Sequence, residues 1–426
     1  VTDLDPDPGV LEVELVATVA TLSVAGAPPA EVWAYRDGQG PPCVPGPHLA
    51  LDAGDELVVH FTNELPESTT VHFHGPRLLN AMDGTRATQQ VVQPGETFEY
   101  RFTVDDPQTF WYHPHVRTPV QVEKGLYGTG VVGDGATVDA DRVFVLDDAL
   151  VEDGVLVTDP RSEDIAAGRQ GNVRTVNGVP AGAVIDGPGG LERWRFVNTA
   201  VGRFFSLAVD GADWTVVATD AGPVPVPWQE DAVLLAPGDR VELLVDLSGG
   251  GDVEVVDRGA DRGFGLGVDA EQVLVTARVA SEPLAAAASP TLAPLDLLNP
   301  AGIGPTEMLE LGESRASTGE PVFTVNDEFW PFNTPLDGTV GDLAEWTVTN
   351  STSGDHPFHL HGTFFQVLDV DGVAPQHGTL EDTAVVPMGA TVRLAVPYEA
   401  AGAWMFHTHV LEHADRGMMG QLNLAE

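Results

Sequence analysis

Cysteine and lysine are all but missing from this chain of 426 residues. Cys43 is the single cysteine, so no intrachain disulfide can form, and the count leaves the redox compartment open. In "GPPCVPGPHL" it reads as a small packed thiol rather than a ligand. Lys124 is the single lysine, and 20 basic residues against 64 acidic ones give a net charge of −44. A surface of that sign repels nucleic acid and anionic membranes, which removes both from the expected partners. It reads as a solubility adaptation whose field also draws in cations. No apolar run reaches the ~18 residues of a membrane span. A basic and then apolar leader is missing too. The opening "VTDLDPDP" is acidic and reads as the start of a mature protein, secreted or periplasmic, with its export signal removed.

Helical periodicity is scarce as well, and what replaces it is turns. The 47 glycines and 33 prolines punctuate short alternating segments, which predicts an all-β chain of sandwiches or barrels. The length calls for two or three domains. Three segments repeat: "AGDELVVHFTNE" (53–64), "GGLERWRFVNTA" (189–200) and "VGDLAEWTVTNS" (340–351) share a glycine turn, a strand and an asparagine, Asn63, Asn198 or Asn350. Each is followed some 30–40 residues later by a second turn and strand, at 93–104, 236–247 and 387–398. Three copies predict three related β-domains, 1–136, 137–282 and 283–426. Linkers are expected near 136–141 and in "SEPLAAAASPTLAP" (281–294).

The 13 histidines are distributed unevenly, with none between His115 and His356. His48, His60 and His377 stand alone and read as structural. The others fall in four motifs of the first and third repeats: "VHFHG" (His72, His74), "WYHPH" (His113, His115), "HPFHLHG" (His356, His359, His361) and "FHTHVLEH" (His407, His409, His413). In a strand, residues i and i+2 share a face, so each H-x-H pair aims two imidazoles one way. Four pairs bring eight imidazoles to an interface of domains one and three. The middle domain, with no ligands, acts as a spacer. Eight suffice for one two-coordinate and two three-coordinate metal ions. Imidazole suits copper, zinc, iron and nickel, and the lack of clustered carboxylates argues against magnesium and calcium. Thr408, inside the last pair, points to the opposite face. With His356, His413 and Met418 it outlines a second site, where a His₂Cys centre with a weak axial methionine would be a blue-copper site.

With these four motifs in their order, the whole chain resembles a three-domain bacterial multicopper oxidase of the laccase-like or copper-efflux type. "PCVPGPHLAL", "NAMDG" and "VEKGLYGTGVV" are similar to that family too. The resemblance implies three cupredoxin-like Greek-key domains and a trinuclear copper cluster of about three ions that reduces dioxygen to water. By motif position His72 and His359 would hold the type 2 copper. His74, His113 and His409 would hold one type 3 copper, and His115, His361 and His407 the other. His356, His413 and Met418 match type 1 ligands. Asp83 matches an acidic residue that assists proton handling, although "MDG" also reads as a turn aspartate. A small-molecule electron donor is the implied partner besides dioxygen, and one chain carries a complete cluster, so a monomer suffices.

Two departures qualify the resemblance. Thr408 stands where the family has the type 1 cysteine, and a neutral hydroxyl is a poor copper ligand where a thiolate is a strong one. Ala414 stands where several relatives have a proton-delivering glutamate, with Asp415 beside it. The reading is an oxidase with an intact cluster and an impaired or empty type 1 site, oxidising phenolic or similar donors. The alternative is a non-catalytic extracytoplasmic copper-binding protein. Six methionines without a Met-rich segment argue against a dedicated cuprous-ion entry region.

Overall fold

A computed structural model describes residues 1–284 and 288–426; part of the expected second linker, 285–287, lies outside the described residues. The chain is all-β, about 50% strand and 5% helix. Its strands form six sheets, and successive stretches of chain supply two each. Residues 10–133 give two four-stranded sheets, residues 140–284 an eight- and a five-stranded sheet, and residues 306–425 two five-stranded sheets.

The repeat in the sequence is a repeat in topology. Strand Glu56–Asn63 runs parallel to Val10–Leu22 and antiparallel to Thr97–Thr103. Leu191–Asn198 lies in the same way between Ala140–Glu152 and Arg240–Asp246. Leu343–Asn350 lies between Thr306–Arg315 and Thr391–Pro397. The recurrent asparagine has the same physical task each time. Its amide donates to two backbone carbonyls and its oxygen accepts the N–H two residues on. For Asn63 these are Glu67 O, Val92 O and Leu65 N; for Asn198, Arg203 O, Leu235 O and Ala200 N. For Asn350 they are Gly354 O, Val386 O and Thr352 N. All three side chains are buried, where an unmade hydrogen bond would cost ~1–3 kcal/mol, so each strand end is clasped to the segment that leads away from it.

Alternation of buried apolar and outward polar residues packs each pair of sheets face to face. The buried side chains of the first and third stretches join into one continuous cluster, from Leu11 to Leu424, while the middle stretch has its own around Trp194, Phe196 and Val216. The first and third stretches therefore share a close interface, and the histidine motifs lie along it. Among the described residues no helix is long and apolar enough to cross a membrane.

Candidate metal centre

Four strand ends meet at this interface. Strand His72–His74 pairs with Gln108–His113, and His356–Leu360 pairs with Gly402–Thr408, so that His72 faces His113 and His359 faces His407 across their ladders. The expected eight imidazoles come together here. Ring nitrogens of His72, His74 and His359 lie within 4.8 Å of one another, as do those of His74, His113 and His409, and those of His115, His361 and His407. Rings from opposite sides stack: His72 on His361 at 4.0 Å and His74 on His359 at 3.8 Å between centroids.

Partners outside the cluster decide which nitrogen faces in for six of the eight rings. The Nδ1–H groups of His72, His113, His359 and His407 donate to the carbonyls of Asp83, Pro114, Asp382 and Thr408, at 2.7, 2.9, 2.9 and 2.8 Å. His361 Nδ1 donates to both Asp83 carboxylate oxygens at 3.0 Å. His74 is turned the other way, with Nε2 on Asp382 Oδ1 at 2.9 Å and Nδ1 facing in. Fixing one nitrogen in this way leaves the other as a lone pair for metal. The inward atoms His72 Nε2, His74 Nδ1, His113 Nε2, His359 Nε2 and His409 Nε2 have no hydrogen-bond partner. Nε2 of His407 lies 3.0 Å from that of His361 and 3.3 Å from that of His115. Lone pairs facing one another at that range repel unless a cation sits among them. Burial, followed by neighbouring imidazoles, holds the pKa values of His74, His113, His115, His361, His407 and His409 well below the ordinary value, so the rings are neutral and ready to ligate. Orphaned inward nitrogens, neutral rings and an all-imidazole set fit a borderline transition metal such as copper.

Asp83 is buried, and its carboxylate sits 3.4 Å from His72 Nδ1 as well as on His361. It belongs to the site and is no mere turn residue. Its N–H also closes the short turn Asn80–Met82, so the turn and the contact with the imidazoles coexist.

Sequence reasoning missed a contribution from the middle domain. Arg240 is completely buried and uses all five of its N–H donors. It donates to Asp382 Oδ1 and Oδ2 at 2.8 and 2.6 Å, and to the carbonyls of Thr109, Gly238 and Asp220 at 3.1, 3.2 and 2.9 Å. One guanidinium thus ties together all three stretches of chain. Burial alone would raise the Asp382 carboxyl, but Arg240 and then His74 hold it well below the usual carboxylate range. Asp382 in turn holds His74 and His359. Gly238, at φ +95°, lets the middle domain approach the cluster: a Cβ there would lie 3.0 Å from His409 and 3.1 Å from His74. Gly75 of "VHFHG" makes room for the same arginine, since a Cβ would lie 3.0 Å from its Nη2. The middle domain supplies no histidine, but it is more than a spacer. The available signal was an arginine and aspartates ("GDRVELL", "LEDTAVV") inside apolar runs, where burial demands a partner.

Residue 408 lies on the far side of its strand, as the i, i+2 geometry requires. Thr408 is fully buried beside His356, His413 and Met418. Thr352 Oγ1 gives its proton to Asn350 Oδ1 at 2.7 Å and so accepts from His356 Nε2 at 3.0 Å. His356 Nδ1 then accepts from the Thr408 hydroxyl at 2.9 Å, and the N–H of Val410 donates to that hydroxyl at 3.2 Å. Every group in this chain of bonds is satisfied without a metal. The ring of His413 lies 5.3 Å from that of His356 and stacks on Phe323 at 3.7 Å. Its nitrogens approach the backbone of Ile165 and Ala166 but make no hydrogen bond of standard geometry. A cavity of about 380 Å³ lined by Phe264, Phe323 and Ser353 opens nearby.

Three sequence profiles, each described as multicopper oxidase, match residues 17–137, 157–252 and 306–426. The multicopper oxidase MmcO of Mycobacterium tuberculosis is 31% identical over 432 residues, covering 89% of this chain and 81% of that protein. This chain belongs to the multicopper oxidase family. The multicopper oxidase mco of Staphylococcus epidermidis is 26% identical over 399 residues, covering 89% and 82%. The crystal structure of a multicopper oxidase from Pseudomonas thermotolerans superposes with a TM-score of 0.85 at 26% identity, covering 98% of this chain and 99% of that one. As a multicopper oxidase, the chain is a copper-dependent oxidoreductase with cupredoxin-like domains that uses dioxygen as acceptor.

His48, His60 and His377 lie outside the centre. His48 Nδ1 meets Thr129 Oγ1 at 3.0 Å, His60 Nε2 meets Glu12 at 2.6 Å, and His377 stacks on Trp228 at 4.3 Å. Cys43 is half-buried with its thiol toward Tyr35 O, and burial raises its pKa.

Proposed function

We propose that this multicopper oxidase holds copper in the eight-histidine centre alone and works without a type 1 copper. His72 and His359 take the type 2 position. His74, His113 and His409 take one type 3 position; His115, His361 and His407 take the other. The chemistry copper supplies there is one-electron oxidation of a donor coupled to reduction of dioxygen to water. The chain's own residues orient and protonate. Asp382 and the backbone carbonyls fix the imidazoles, and Asp83, against His72 and His361, is placed to hand over protons. The donor is a phenol or similar small molecule. The domain bounds 1–136, 137–282 and 283–426 and an extracytoplasmic location belong to the same reading.

The observation that carries it is the contrast between two neighbouring sets of residues. The inward nitrogens of the centre are partnerless or face only one another, whereas at the second site Thr408 puts a hydroxyl on His356 Nδ1 at 2.9 Å and only His413 is left without a partner. A paired comparison with Thr408→Cys tests it. The protein as written is expected to bind about three coppers without intense blue colour, and the cysteine variant to gain a fourth, the colour and faster oxygen uptake. Equal turnover by the two would overturn the role given to Thr408. Three bound coppers with no oxygen uptake would favour a non-catalytic copper-binding protein.

A further inference from the structure

If electrons do not enter at residue 408, another entry is needed, and one cavity reaches the copper ligands directly. It measures about 410 Å³, within the range of small-ligand sites, and His115 forms part of its wall. His115 is 9% exposed, against 2% or less for the other seven histidines of the centre. Trp330, Met405 and Met419 supply apolar walls, and Arg86 and Arg117 stand at the rim. Trp330 belongs to an aromatic loop whose neighbours Phe329 and Phe332 are 46% and 77% exposed, an unusual outlay of apolar surface unless planar rings are to be gathered there. Two arginines on one cavity are also notable in a chain of net charge −44 with 20 basic residues. Asp415, on the same wall, faces both arginines, and Glu67 pairs with Arg117 as well, so Arg86 carries the less compensated charge and its removal should be felt most.

We infer that this cavity is a donor site for phenols bearing a carboxylate, seated with the ring against Trp330 and the methionines and the carboxylate toward Arg86. This rests on the reading that Thr408 closes the type 1 route. Electrons then leave the bound phenol through the His115 imidazole. Four phenols each break one O–H bond and give up one electron and one proton, becoming phenoxyl radicals. One dioxygen takes up the four electrons and four protons and leaves as two waters.

The test uses the full chain and two variants, Arg86→Gln, at an exposed position, and Ala87→Trp, which fills the cavity. The first readout is calorimetric binding of 4-methoxycinnamate, which has no oxidisable hydroxyl, to copper-free and copper-loaded protein. The second is KM for 4-hydroxycinnamate against a neutral methoxyphenol. Saturable binding in both states is expected, weakened roughly fivefold by Arg86→Gln and by added salt, and abolished by Ala87→Trp. KM for the acid should rise by a similar factor in Arg86→Gln while that of the neutral phenol changes less than about twofold. No binding, or binding and KM indifferent to both variants, overturns the inference. Three coppers and oxygen uptake that persist in that case would leave the proposed function standing. Absent copper would fail that function alone, since binding to the copper-free chain is judged separately.

Discussion

Arg240→Met offers a sharp test of how the centre is held. The substitution keeps the length of the side chain's stem but removes five hydrogen bonds and one buried positive charge. Asp382, 3% exposed, is left as an anion without its counter-charge, and the carbonyls of Thr109, Gly238 and Asp220 each lose a donor. Removing one partner of a buried pair costs ~3–5 kcal/mol, most of it from the charge left behind. For a domain of this size that corresponds to a fall on the order of 10 °C in the calorimetric transition. Copper affinity should also fall, by roughly 10–100-fold, because Asp382 orients His74 and His359. The double variant Arg240→Met/Asp382→Asn removes the Asp382 charge and leaves Asp220, 3.2 Å from Arg240 Nη1, as the carboxyl parted from the guanidinium; burial raises its pKa, so it can be held neutral. It should recover much of the stability but none of the copper affinity, because the carboxylate that positions His74 is gone. Scanning calorimetry with copper titration of the three proteins reads both effects. A single variant within about 1 kcal/mol of the parent, with unchanged copper affinity, would refute the idea that one guanidinium braces the centre.

Three further outcomes are expected. Gly238→Ala should lower copper content and the melting temperature, because φ +95° disfavours a side chain and the new Cβ would press on His409 and His74; elemental analysis and circular dichroism check it. Copper should raise the melting temperature and a chelator lower it, by mass action on a site that exists only in the folded chain. Asp147 is pushed up to about 7 by burial and then by Asp148. A carboxyl raised in the fold takes up a proton on folding, so its contribution to stability falls as pH rises from the unfolded value, ~4, towards 7. Asp147→Asn should remove up to ~1.4 kcal/mol per pH unit from that slope, as read by urea titrations across the window.

The gathering of eight imidazoles was legible in the sequence because each H-x-H pair starts in a strand, where i and i+2 share a face, although His115, His361 and His409 fall just past their strand ends. The same parity placed Thr408 on the opposite face, and there its hydroxyl meets His356. Repeated asparagines announced repeated topology because a buried amide must be satisfied in the same way in each copy. Asp83 was legible only in part, since its turn and its carboxylate serve different ends. Arg240, Gly238 and Asp382 were not legible as parts of the centre. They stand far from the histidines in sequence, and only the closure of three domains brings them near. The wall around His115 was hidden for the same reason, being built from separate segments of the first and third domains.

The order in which the chain can be built follows from the separation of the ligands. His74 and Asp382, in contact, are 308 residues apart, and His115 and His407 are 292 apart. Each asparagine clasp closes within its own repeat, so a domain can fold as it emerges. The centre cannot exist until the C-terminal strands arrive and dock against the first domain. The complete set of imidazoles therefore assembles only after His409 has been made and the third stretch has docked, and a product truncated before that point, however well its first domain folds, lacks a complete centre.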